Sequence, residues 1–162
     1  MEAHFANGGT ALEQLRSLVL EYSDGALRLD NGTFIQPIPG GPLRFMHKLF
    51  VGCSNSELAE LQRISAIPLP ADYIEFMRWA GDATLFDNSL FIYGLRDSHQ
   101  RSLALEDQAP LSLPSKLLLL QQMGRWDQVS EWQPVGSVPA PTQTFSLEIS
   151  AGGRARVLCE DV

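Results

Sequence analysis

An α+β fold, with a mainly antiparallel sheet packed against helices, is what this sequence predicts, and three observations carry it. Two capped helical segments follow one another between residues 54 and 80. Near the C-terminus, Thr144-Phe145-Ser146-Leu147-Glu148-Ile149 alternates strictly, Ala151-Gly152-Gly153 can turn, and Arg154-Ala155-Arg156-Val157-Leu158 can return antiparallel. Finally, a chain of 162 residues with 44% hydrophobic and 19% charged residues has enough apolar surface for one core and too little charge to stay unfolded.

Taken in order, Thr10 can cap a helix whose Leu12, Leu15, Val19 and Tyr22 repeat at helical spacing, ending near Asp24-Gly25. Residues 26–29 and 33–35 flank Asp30-Asn31-Gly32, where Asn and Gly tolerate the positive φ of a tight hairpin turn. Pro37-Ile38-Pro39-Gly40-Gly41-Pro42 lacks too many amide donors for a regular ladder and reads as a loop. It divides an N-terminal extension, residues 1–42, from a main body, residues 43–162.

Ser54-Asn55-Ser56-Glu57 has capping-box spacing, and Leu58, Leu61 and Ile64 then face the core. Ile67-Pro68-Leu69-Pro70 interrupts that helix. Pro70 can open the next, with Asp72 and Glu75 near its positive end and Tyr73, Phe76, Met77 and Ala80 as its buried stripe. Gly81 is expected as a left-handed C-terminal stop, followed by a loop and then a strand over residues 90–95. Residues 97–110 read as loop, 116–123 as helix ending at Gly124, and 132–136 as extended.

The residue spacings offer little chemistry. His4, His47 and His99 are isolated in predicted loops and form no metal-ligand pattern, so no metal and no cofactor are expected. Cys53 would need a basic partner, for which His47 is the candidate, to act as a thiol nucleophile. Gly8-Gly9-Thr10 lacks the lysine of a phosphate loop. The adjacent carboxylates Glu106-Asp107 and Glu160-Asp161 read as solvated surface. No catalytic residue is assigned and the chain is read as not an enzyme. With 12 Lys plus Arg against 19 Asp plus Glu, the net charge of −7 argues against sequence-independent nucleic-acid binding. Neither an apolar run long enough for a membrane span nor a basic leader is visible, and two distant cysteines make no disulfide framework, so a cytoplasmic protein is expected.

At Ile67-Pro68-Leu69-Pro70-Ala71-Asp72-Tyr73-Ile74-Glu75-Phe76-Met77 the sequence resembles the SUKH superfamily, the SMI1/KNR4-like domain. The order of features supports the likeness: a capped helix over 54–66, the Leu-Pro-x-Asp-Tyr segment over 69–77, Ala80-Gly81-Asp82, an aromatic strand over 90–95, and Val135-Gly136. The likeness spans about residues 43–158. Ala80 replaces the usual asparagine before Gly81, and residues 137–143 lack the Gly/Asp-rich turn, which makes this a divergent member with an N-terminal extension. The resemblance implies an SMI1/KNR4-like single domain and a binding function. Most members are bacterial immunity proteins that neutralise a cognate polymorphic toxin; the alternative is a regulatory interaction module, and an unrecognised hydrolase using Cys53 or His99 stands third. The implied partner is a secreted or contact-dependent toxin domain. Exposed acidic and aromatic residues are the expected partner-binding set: Asp82, Asp87, Tyr93, Trp126 and Trp132.

Overall fold

The structure is a computed structural model and describes residues 11–21, 25–38, 41–95, 112–122, 124, 131–139 and 144–160. Among them, four helices lie with one eight-stranded sheet: α1 (Ala11–Glu21), β1 (Leu27–Arg28), β2 (Phe34–Ile38), β3 (Gly41–Val51), α2 (Asn55–Ile64), α3 (Ala71–Trp79), β4 (Ala80–Leu85), β5 (Leu90–Ile92), α4 (Leu113–Gln122), β6 (Trp132–Pro139), β7 (Thr144–Ser150) and β8 (Ala155–Glu160). Every neighbouring pair is antiparallel and the strands lie in chain order β1 to β8. The expected α+β class and antiparallel sheet are both present.

Register runs unbroken across the sheet in two adjacent rows. One row reads Arg28, Phe34, Leu49, Ala83, Ile92, Gly136, Leu147, Val157. Its central members are apolar or small, and Leu49 and Ala83 join Leu58, Leu61, Tyr73, Phe76, Met77, Leu113, Leu117 and Leu120 in the core, so this is the face the helices cover. The next row, on the opposite face, reads Leu27, Ile35, Lys48, Thr84, Phe91, Ser137, Ser146, Leu158. An antiparallel sheet in a two-layer fold normally turns such a face to water. Here Lys48 and Ser146 are fully buried and Thr84 and Ser137 nearly so. The Lys48 ammonium lies 4.7 Å from the centroid of the Phe50 ring and 5.8 Å from that of Phe45, a contact that favours a desolvated cation.

Local expectations meet this frame unevenly. The β1–β2 turn forms as expected: the Asn31 side chain accepts the Thr33 N–H at 2.9 Å and Gly32 takes φ 84°. The capping box at Ser54 is complete, with the Ser54 N–H donating to Glu57 at 2.7 Å and the Glu57 N–H to Ser54 Oγ at 3.3 Å. Tyr73, Phe76, Met77 and Ala80 are all buried. Thr10, as helix cap, lies outside the described residues.

Three expectations are corrected. The expected loop over 37–42 is instead largely strand: Pro37 and Ile38 end β2, Gly41 and Pro42 open β3, and the register shifts at Gln36/Pro37 and Pro37/Ile38 absorb the missing donors as bulges. Residues on both sides of position 42 thus pair in one sheet, and Leu12 and Val19 of α1 enter the same core. Gly81 does not end α3 in a left-handed conformation; Ala80 ends it in extended geometry (φ −142°) and Gly81 is the second residue of β4. A Cβ there would stand 2.5 Å from the Val51 carbonyl oxygen, so the glycine serves close strand approach rather than helix termination. His47, expected in a loop, is a β3 residue only 1% exposed.

The two layers are also tied by amides. Gln133, on β6, accepts the Ala66 N–H at 3.0 Å and donates to Ser65 Oγ at 3.0 Å, while Gln62 accepts the Leu69 N–H at 3.0 Å. The α2–α3 connection, whose prolines deprive it of backbone donors, is thereby held by two glutamine side chains.

Candidate protein-interaction surface

Of the five residues expected to meet a partner, the four that are described, Asp82, Asp87, Tyr93 and Trp132, do not form one face. Asp82 is fully buried and Tyr93 is 3% exposed, which corrects their reading as surface groups. Their burial has a clear cause: Asp82 Oδ1 accepts the Gly94 N–H at 2.5 Å, and the Tyr73 hydroxyl donates to the Tyr93 carbonyl. The chain leaving β5 is thus clamped to the start of β4 and to α3. Burial first, then the charges of Asp82 and Cys53, pushes the Tyr73 phenol well above its ordinary value of 10.0, so the hydroxyl stays a donor.

Asp87 is half-buried in the β4–β5 turn, where Phe86, Asp87 and Asn88 all take positive φ, at 54°, 52° and 65°. Such backbone is unfavourable without glycine. β3 holds it: the Met46 carbonyl accepts the Asp87 N–H at 2.9 Å, His47 Nδ1 accepts the Phe86 N–H at 3.4 Å, and the Phe86 ring meets the His47 ring edge-on at 4.9 Å. Because Nδ1 accepts, the neutral imidazole is the form that fits, and burial lowers the His47 pKa below 6.5. His47 and Cys53 are not brought together; the largely extended chain between them spans roughly 15 Å. Trp126, His4 and His99 lie outside the described residues.

Trp132 stands at the other end of the sheet from Asp87. Since Phe91 on β5 pairs with Ser137, the β4–β5 turn lies beyond the far end of β6, roughly 20 Å from Trp132. Trp132 is half-exposed, and here the structure assembles a group that the expected set did not include. The Arg156 guanidinium stacks on the Trp132 ring with its carbon 4.2 Å from the centroid, and Arg154 lies at 5.7 Å. Arg156 also reaches across to its register partner Glu148, with Nε and Nη2 each 2.9 Å from Oε2. Glu148 is nearly buried while Arg156 keeps about a third of its surface, so the carboxylate fixes the guanidinium from below. The Arg154 N–H donates to Ser150 Oγ at 3.2 Å, which fixes the backbone carrying the second guanidinium.

Chemically this is a cluster of an indole and two guanidiniums, of which Arg156 is held by Glu148 and by the indole. Its signal is present in the sequence: Arg154 just before β8 and Arg156 within it lie two apart in extended chain and so share a face, and the turn returns them beside β7, whose Ser150 pairs with Trp132. Among the described residues no group of three or more metal-ligating side chains converges, and no helix is long and apolar enough to cross a membrane. Comparison with models of known families, with curated proteins and with solved structures finds nothing that matches this chain.

Proposed function

We propose that this chain is a non-catalytic protein-binding protein whose partner docks on Trp132, Arg154 and Arg156. One observation carries the reading: a half-exposed tryptophan is stacked by one guanidinium at 4.2 Å, which is itself anchored on a nearly buried carboxylate. Trp and Arg dominate binding energy at protein interfaces, and a rigid pair loses little entropy on docking. The two guanidiniums present donors and flat cationic faces, which suit carboxylate, carbonyl or aromatic groups on the docking surface of the partner.

The finer reading is an immunity protein of the SUKH, SMI1/KNR4-like kind, acting in the cytoplasm on a cognate toxin domain. Supporting it are the order of the capped helix, the Leu-Pro-Ala-Asp-Tyr segment and the following strands, and the inward position of Tyr73, Phe76 and Met77 on α3. Co-expression with a toxin encoded beside this gene tests it. Wild type should protect the cell and co-purify with the toxin, and Trp132→Ala should weaken both with its circular dichroism unchanged. Absence of a neighbouring toxin, or no complex with it, rejects the immunity reading and leaves a regulatory interaction module.

A further inference from the structure

The two edges of the sheet differ in character. β1 has two residues, too short to template another strand, which is a common protection of natural edges. β8 has six, pairs with β7 without a register shift, and has no strand on its other side among the described residues. Val157 is 58% exposed and Cys159 is exposed, so this edge is open. Between Ala155 and Glu160 there is no proline and no bulge, two devices that stop an edge from pairing, and of its two charged residues Arg156 is tied to Glu148 within the sheet.

The turn determines which backbone groups face outward. Ser150 donates its N–H to the Arg154 carbonyl at 2.9 Å and accepts the Gly153 N–H at 2.9 Å, so Ser150 bonds toward β8. Bonding direction alternates along an antiparallel pair. Arg156, Leu158 and Glu160, opposite Glu148, Ser146 and Thr144, therefore bond toward β7. Ala155, Val157 and Cys159 aim their N–H and C=O groups away from the sheet.

We propose that a second copy of this chain occupies the edge, the two β8 strands pairing antiparallel about a two-fold axis at Val157 and joining two eight-stranded sheets into one. The inference goes beyond the function proposed above, since it rests on backbone groups and register rather than on the Trp132 cluster. Arg154 immediately precedes the strand and Glu160 ends it, so antiparallel self-pairing about Val157 sets these opposite charges level, whereas parallel in-register pairing sets like charges level. With the axis at Val157, Ala155 stands level with Cys159 and Val157 with its own counterpart, so every outward group meets an outward group. Arg154 stands level with Glu160 of the second copy, and the exposed Val157 surfaces cover each other on one face.

Sedimentation equilibrium of the purified chain over rising concentration should show the mass climbing from 17.9 kDa toward twice that. The Ala155, Val157 and Cys159 amides should exchange more slowly over the same range. Val157→Pro removes a donor that no strand among the described residues uses, and proline is tolerated at such a position, so it should stay monomeric with unchanged circular dichroism. Should that variant fold poorly, Val157→Lys keeps the backbone and sets two like charges at the axis, and it should be monomeric too. The proposal is overturned if wild type is monomeric at every concentration, if both variants still self-associate, or if β8 takes up a foreign extended peptide but never its own kind. No partner is in the assay, so its failure leaves the Trp132 reading standing, and loss of toxin binding by an intact dimer leaves this one.

Discussion

Tyr73→Phe removes a single buried oxygen. The Tyr73 residue is 8% exposed, and its hydroxyl donates to the carbonyl of Tyr93, itself 3% exposed. Phenylalanine keeps the ring, so cavity terms are small and the loss is that of one buried hydrogen bond. That is about 1 kcal/mol at neutral pH, or a fall in Tm of about 2–4 °C for a chain of this size. A second signature comes from ionisation. The folded phenol is held well above 10.0 by burial, then by Asp82 and Cys53, whereas the unfolded phenol ionises near 10.0. Above that pH the unfolded state releases a proton that the native state keeps, so wild-type stability falls as pH rises, by up to about 1.4 kcal/mol per pH unit until the folded pKa is reached. The variant, with no phenol at this position, has no such proton to lose. Urea unfolding at neutral and alkaline pH should therefore show the variant weaker at neutral pH but less steeply destabilised by alkali. Equal neutral stability, or parallel alkaline limbs, would refute the clamp.

Phe76→Ala should cost about 3–5 kcal/mol, since that ring is 7% exposed and packs edge-on against Trp79 at 5.7 Å; urea unfolding measures it. Gln133→Leu should cost only about 1–2 kcal/mol despite the residue's full burial, because water can reach the freed N–H of exposed Ala66, and hydrogen exchange should show the α2–α3 connection loosened. His47 has a folded pKa lowered by burial, so below pH 6.5 the unfolded state binds the extra proton and stability falls as pH drops toward the folded value. His47→Leu should flatten that acid limb in thermal melts recorded across it.

What could be read from the sequence was set by local rules. The Ser54 cap, the Asn31 turn, the α3 stripe and the C-terminal hairpin each depend on residues a few positions apart, and all are present. The missed strands, β3 and β4, depend on neighbours far along the chain. Pro37 and Pro42 read as loop because a bulged pairing with a distant register partner cannot be inferred from proline spacing. Ala80-Gly81-Asp82-Ala83-Thr84-Leu85 carries no alternation at all, being buried on both faces. Asp82 was misplaced for the same reason: a carboxylate after a glycine looks exposed until the Gly94 amide that it accepts is known. The Trp132 cluster is legible in part: Trp132 belongs to the expected set, but its guanidinium neighbours come from beyond the β7–β8 turn, and the sequence reading expects acidic rather than basic neighbours.

The measurement that bears most directly on the proposed function is the affinity, for wild type and for Trp132→Ala, of any toxin domain encoded beside this gene, by calorimetry at one ionic strength. Truncating a central anchor should cost at least about 2 kcal/mol, close to a thirtyfold rise in Kd, with melting behaviour little changed because Trp132 is only half-buried. An unaltered Kd in a folded variant would contradict the claim that this cluster is where the partner docks.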